Sequence, residues 1–250
     1  MQVTAIKTPI IHPGDDLLQI ITSSLSTYSA ADLEESILVV TSKVVSLAEN
    51  NVINEEGADK HQLVRQQADY YTEAESSKYG VMLTIKDSIL AVNAGIDESN
   101  IDGGFVLLPE DSYRSAALIW NHVKNHFNLN SFAVVITDST SFPLKWGVVG
   151  RALAYCGIEP LKDLRGTPDL FGRELVMTQV SVVEGIASAA VLEMGEGNDS
   201  TPLCLVTGVT HATFQDHAPT DQELETQLIE VEDDVYYPLL SSDKWHSNKK

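Results

Sequence analysis

The chain is poor in positive charge: 16 Lys and Arg stand against 36 Asp and Glu in 250 residues, a formal net charge of −20. Nucleic acid and anionic membrane surfaces both demand basic patches, so neither is expected as a partner. Cysteine is also scarce, with only Cys156 and Cys204. Two thiols cannot staple a disulfide framework and suit a reducing compartment, where both read as small buried apolar groups. No apolar run approaches the roughly 18 residues of a bilayer span, and Met1–Ile10 reads as a first strand and not a signal peptide. A cytoplasmic protein is expected. Neither a Pro/Gly/Ser linker nor a repeat of clear period breaks the chain, and 43% hydrophobic content suffices for a substantial core.

Missing motifs narrow the chemistry. There is no GxxxxGK(S/T), which excludes ordinary P-loop phosphate binding. His122 and His126 have the i, i+4 spacing of zinc ligands, but the HExxH glutamate is absent, and Trp120 and Phe127 flank them. They read as an ordinary helix face. No GxSxG supports a Ser-His-Asp hydrolase, and Asp111-Ser112 has no paired histidine motif.

What is present is a mixed order of strands and helices. Asp15-Asp16 caps a helix that opens at Leu17, and Ser36–Thr41 reads as a short apolar strand. Asn54–Lys78 is polar and predicted helical. Val81–Leu90 forms a hairpin turning at Lys86-Asp87-Ser88, and Phe105–Leu108 is another apolar run. Ser115–Phe127 is a helix feeding a central strand at Ala133. Leu175–Val183 reads as a strand, Ile186–Met194 as a small-residue helix, and Leu203–Val209 as a last strand. This order favours α+β, with mixed sheets and flanking helices, over a doubly wound parallel sheet. Residues 1–212 are expected to form the catalytic domain, and 213–250 an acidic extension. That extension holds eight acids and no Lys or Arg between Thr213 and Leu240, with a Thr220/Glu223 capping box. Ser241–Lys250 is expected to fray.

Ala133–Glu174 stands apart because it carries five Lys/Arg and five Asp/Glu, so the whole net charge lies outside it. Its opening strand delivers Thr137, Asp138 and Ser139 to a carboxyl end, where a carboxylate beside hydroxyls suits a hard divalent cation. Helix capping explains such an aspartate about as well. Asp97 in AGID reads most simply as part of an Asx turn, and the glycines around Glu196 in MGEG as a helix cap. Together the three acids are candidates for one or two cations. Phe142, Trp146, Tyr155 and Phe171 are candidates for a ring-stacking wall, with core packing the plainer reading for most of them.

Eight motifs run in order: PIIHPGDD (Pro9–Asp16), LVVTSKVVSLAE (Leu38–Glu49), NAGIDESN (Asn93–Asn100), LLP (Leu107–Pro109), ITDS (Ile136–Ser139), GVVG (Gly147–Gly150), DLFGRE (Asp169–Glu174) and MGEG (Met194–Gly197). From about Pro9 to His211 the chain thereby resembles the F420-0:γ-glutamyl ligases. The resemblance implies their α+β fold, an intimate homodimer, and a nucleoside triphosphate (GTP, with ATP open) bound with Mg2+ or Mn2+. It places metal ligands at Asp97, Asp138, Ser139 and Glu196. Nucleotide contacts fall on Pro9, Ile10, Ile11, Ser42, Lys43, Asn100, Met194, Gly195, Glu196 and Gly197. The chain departs from the family pattern at Lys7-Thr8, at Leu47 where a lysine is usual, at Glu184-Gly185 where two acids are usual, and across TSFPLKWG (Thr140–Gly147).

The reaction implied is acyl-phosphate formation on a carboxylate, followed by attack of the glutamate amine. The protein's part is positioning and charge neutralisation. Lys43, Lys145, Arg151 and Arg173 are the expected cations for phosphate, acceptor carboxylate and incoming L-glutamate. The TSFPLKWG segment resembles a bacterial folate-metabolism branch, so the expected acceptor is a pterin or folate, with the deazaflavin coenzyme precursor as alternative. A second alternative is a nucleotide- and metal-binding protein that has lost ligation.

Overall fold

Two apolar runs without polar interruption, Ser36–Thr41 and Phe132–Ile136, set the centre of the molecule, because a strand apolar on both sides must be covered on both faces. In the computed structural model, which describes residues 1–248, they are the neighbours β2 (Ser36–Thr41) and β8 (Phe132–Ser141), paired in parallel from Ser36↔Phe132 to Thr41↔Thr137. Around them runs a five-stranded sheet in the order β1 (Gln2–Ile6), β12 (Leu203–Thr207), β2, β8, β9 (Val148–Cys156), antiparallel at every other junction. Alternation sorts the side chains. Leu38, Val40, Val134 and Ile136 enter one core with residues of α1 (Leu17–Leu25), α3 (Ser42–Ala48) and α5 (Ser112–Phe127). Ile37, Val39, Ala133 and Val135 enter the other against α6 (Val182–Met194). Cys156 and Cys204 are buried and unpaired, as expected.

A third core lies under a smaller sheet ordered β13 (His246–Ser247), β4 (Tyr70–Tyr71), β5 (Leu83–Lys86), β6 (Ile89–Val92). The β5–β6 turn falls on Asp87 and Ser88, both in the left-handed region, as a two-residue hairpin turn requires. The pair β3 (Val52–Ile53) and β7 (Phe105–Val106) lies beside it, and β10 (Leu161–Asp163) pairs with β11 (Gln179–Ser181) as a separate arm. The other α-helices of the described residues are short: α2 (Ala30–Leu33), α4 (Lys60–Gln67), α7 (Asp221–Glu225) and a final turn α8 (Tyr237–Leu240). The mixed α+β class is as expected. No helix among the described residues is long and apolar enough to cross a membrane.

Four local expectations fail for identifiable reasons. The polar stretch Asn54–Lys78 is α-helical only over Lys60–Gln67, with one 3-10 turn at Ala74–Ser76, because Tyr70 and Tyr71 pair with Ile85 and Thr84. Only Gln179–Ser181 of the strand expected at Leu175–Val183 pairs, and α6 begins at Val182. The tail expected to fray is held at His246–Ser247 against Tyr71–Tyr70, and Asn248 Nδ2 donates to Ala68 O at 2.9 Å; Lys249 and Lys250 lie outside the described residues. Asp138 does not end its strand, since β8 outruns β2 and continues to Ser141 as a two-stranded arm with β9.

Candidate active site

The arm beyond β2 carries a register shift between Ile136 and Thr137, after which Asp138 faces Arg151, Ser139 faces Gly150 and Thr140 faces Val149. Such an irregularity re-aims the side chains that follow it. Asp138 is half-buried, and its carboxyl is pushed up to about 6. Burial is the main cause. The Ser139 backbone amide works against the shift, the charge of Asp97 adds to it, Arg151 opposes it, and Glu196 adds again. Asp97 and Glu196 are thus electrostatic neighbours of Asp138 although each comes from a distant part of the chain.

Asp97 follows a left-handed turn at Asn93, Ala94 and Gly95 and exchanges backbone hydrogen bonds with Val106. The Ser99 amide (2.8 Å) and hydroxyl (3.0 Å) donate to its two oxygens. Lys43, at the start of α3, lies 2.6 Å from it and donates also to Ser99 O and Oγ. Burial opposes ionisation of Asp97, but the Lys43 ammonium and the Ser99 donors outweigh it and hold the carboxyl below the usual range. Glu196 lies in the loop after α6, where Ser139 Oγ donates to its oxygens at 2.7 and 2.9 Å. That loop turns at Gly195, whose backbone (φ +79) is one that residues with side chains rarely adopt, so a substitution there is strained. Asn100 Nδ2 donates to Gly197 O at 3.1 Å and ties the two loops together.

Most of the expected residues therefore converge. Asp97, Lys43 and Asn100 meet Asp138, Ser139, Glu196 and Gly197 across these contacts, and Arg151 stands opposite Asp138. Ser42 is buried at the start of α3, and Met194 is buried at the end of α6. Pro9 and Ile10 are exposed and Ile11 is buried; the Thr8 amide donates to Ser200 O, which brings this segment to the same loop. A cavity of about 610 Å³ opens there, lined by Lys7, Met194, Gly195, Asn198 and Asp199 among others. Lys145 and Arg173 are exposed in loops, and among the described residues their side chains make no hydrogen bond or ion pair with the cluster. The aromatic wall does not form as one surface: Tyr155 is core, packed edge-on to Tyr113, whereas Phe142, Trp146 and Phe171 are exposed. His122 stacks on His126 and hydrogen-bonds Thr22, as an ordinary helix face does. Glu184, left as the single acid of its pair, accepts from the Ala152 amide at 3.0 Å and serves β9.

Ser99 was not anticipated, although the Asp-x-Ser spacing of an Asx turn marks it. The donors gathered at the cluster are carboxylate and hydroxyl oxygens, the set a hard cation prefers. Among the described residues no three His, Cys, Asp or Glu side chains are grouped closely enough to hold an ion by themselves.

Comparison with known proteins corrects the expected acceptor. The coenzyme F420:L-glutamate ligase of Methanopyrus kandleri is 34% identical over 216 residues, covering 80% of this chain and 83% of that protein. The coenzyme F420:L-glutamate ligases of Methanothermobacter thermautotrophicus (31% identical, 80% and 85% covered) and Haloarcula marismortui (31%, 89% and 91%) match similarly. These names overturn the pterin and folate reading. That reading leaned on Thr140–Gly147, whose centre is an exposed hairpin loop, and loops of this kind vary most freely without a change of chemistry. The sequence model of the F420-0:Gamma-glutamyl ligase family matches residues 5–208, and the chain belongs to that family.

Proposed function

We propose that the chain is an amide-forming ligase that joins the amine of L-glutamate to a carboxylate of the deazaflavin F420-0, driven by a nucleoside triphosphate. The observation that carries this reading is the convergence of Asp97, Asp138 and Glu196 from three separate segments, at positions matching the family's motifs. A carboxyl raised by burial and by the charges of two other acids is of the kind that clusters at functional sites.

The oxygen donors fit Mg2+ or Mn2+. An ion of this class takes one or two carboxylates and completes its shell with phosphate oxygens, so a pre-formed cage of three acids is not required. Asp97, Asp138, Ser139 and Glu196 would hold it, and when bound it neutralises charge on the transferring phosphoryl group. Lys43, already fixed by Asp97 and Ser99, adds a positive charge beside that position. Met194 and Gly195 line the cavity proposed for the nucleotide, GTP in preference to ATP by resemblance, and Asn100 is hydrogen-bonded to the neighbouring Gly197.

The chemistry balances in two steps. An oxygen of the acceptor carboxylate attacks the γ-phosphorus, the bond to the bridging oxygen breaks, and nucleoside diphosphate leaves. The glutamate nitrogen then attacks the acyl carbon, inorganic phosphate departs, and the amine gives up a proton. Exposed apolar side chains at Leu144, Trp146, Leu170, Phe171 and Met177 support a homodimer built over these arms. The two buried, unpaired cysteines support a cytoplasmic setting.

The test is phosphate release and product mass with purified protein, Mg2+ or Mn2+, GTP or ATP, L-glutamate and F420-0. A glutamyl adduct that requires every component is expected. Nucleotide binding with no adduct would overturn the ligase reading in favour of a nucleotide- and metal-binding protein without ligation.

A further inference from the structure

Arg151 is the one basic residue of the Ala133–Glu174 segment that faces the acidic cluster. Lys162 approaches His211, Arg165 is paired with Asp163, and Lys145 and Arg173 are exposed with no hydrogen bond or ion pair to the cluster. Lys43, from outside that segment, is committed to Asp97 at 2.6 Å. Arg151 sits opposite Asp138 in the β8–β9 ladder, so the two side chains share a face of the arm. Its charge acts on Asp138, yet among the described residues no hydrogen bond or ion pair joins it to any carboxylate. Nη1 donates to Leu90 O at 2.9 Å and holds the guanidinium across the gap between β9 and the smaller sheet. Nε is buried with no partner.

A buried Nε–H without a partner is costly, and buried polar atoms are normally hydrogen-bonded. A substrate carboxylate entering this site meets the combined field of Asp97, Asp138 and Glu196, which repels it. A planar guanidinium is the side chain best matched to a carboxylate there, since it offers two parallel N–H donors and stays charged.

We propose that Arg151 binds a carboxylate of one of the two organic substrates beside Asp138, and so sets substrate affinity and not nucleotide affinity. This rests on the ligase reading above. The shared chemistry is a carboxylate, whether the glutamate's or the acceptor's, and separate Michaelis constants tell the two apart.

Arg151→Met and Arg151→Lys are compared with the unaltered protein by steady-state kinetics and by thermal melting. Arg151→Met is expected to raise KM for glutamate or for F420-0 by about tenfold or more. The nucleotide KM should stay within roughly twofold, and Arg151→Lys should recover part of the loss. Unchanged constants for both organic substrates overturn the assignment, as does a rise confined to the nucleotide. Lowered melting with all constants intact also overturns it and leaves Arg151 a strut to Leu90. If the unaltered protein makes no adduct, the ligase reading fails separately. Calorimetric titration of glutamate and of F420-0 into each protein then decides the proposal: weaker binding of either to Arg151→Met supports it, while equal or absent binding overturns it.

Discussion

Where β8 leaves the cover of β2, Asp138 ionises against burial and against the charges of Asp97 and Glu196, and its pKa rises to about 6. An acid whose folded-state pKa lies above its unfolded value of 3.8 stabilises the fold below about pH 4 and loses that contribution as pH rises through about 6. In chelator, Asp138→Asn should therefore unfold at higher urea than the unaltered protein at pH 7.5, by about 3 kcal/mol, with the gap closing near pH 4. The same variant should lose essentially all turnover. Equal urea midpoints at pH 7.5 would mean that Asp138 ionises at no cost, and retained turnover would remove it from the reaction. The three acids were legible because each sits in a short motif. The contacts that give them meaning were not. Ser99 clamps both Asp97 and Lys43, and Arg151 is held by the carbonyl of Leu90, 61 residues away. Such long-range partners leave no local pattern, and the acceptor was misread because a loop's wording was taken for a pocket's chemistry.

The elements that position the cluster depend on close approach. Helix α6 presents Ala187 and Val191 to β9 at Gly150, where an added Cβ would lie 2.4 Å from Ala187 O and from Val191 Cγ2. One of these atoms is backbone and cannot swing aside, so the helix and strand must part. Gly150→Ala should cost about 2–3 kcal/mol in urea unfolding. It should also lower activity, because Gly150 pairs with Ser139 and precedes Arg151. A midpoint within experimental error of the unaltered protein would show that the α6–β9 contact yields easily. At this scale, apolar periodicity made β2, α1, α5, α6 and β12 legible to within a few residues. It failed for the short paired pieces. Two-residue strands such as β4 and β13 exist only through a partner distant in sequence, and neither window carries a period long enough to read.

For the whole molecule, charge and exposed apolar surface point the same way. A chain with net charge −20 repels a second copy almost everywhere. One formally neutral stretch is Ala133–Glu174, which carries Leu144, Trp146, Leu170 and Phe171 at 87% exposure or more. Neutrality removes the repulsion, and the apolar side chains supply the gain on burial. The β8–β9 arm also bears part of the cluster, since Asp138 and Ser139 lie on β8. Self-association through the β8–β9 arm would bring a second copy to the strand that carries Asp138 and Ser139. Sedimentation at micromolar concentration is expected to give a two-chain particle. Because the remaining surfaces stay acidic, that particle should dissociate more readily at low ionic strength, where the repulsion reaches further. Trp146→Asp combined with Phe171→Asp should give single chains with an unaltered melting profile of the monomer core. A single-chain mass for the unaltered protein at every salt concentration would sink the association and leave these side chains free to meet the acceptor instead.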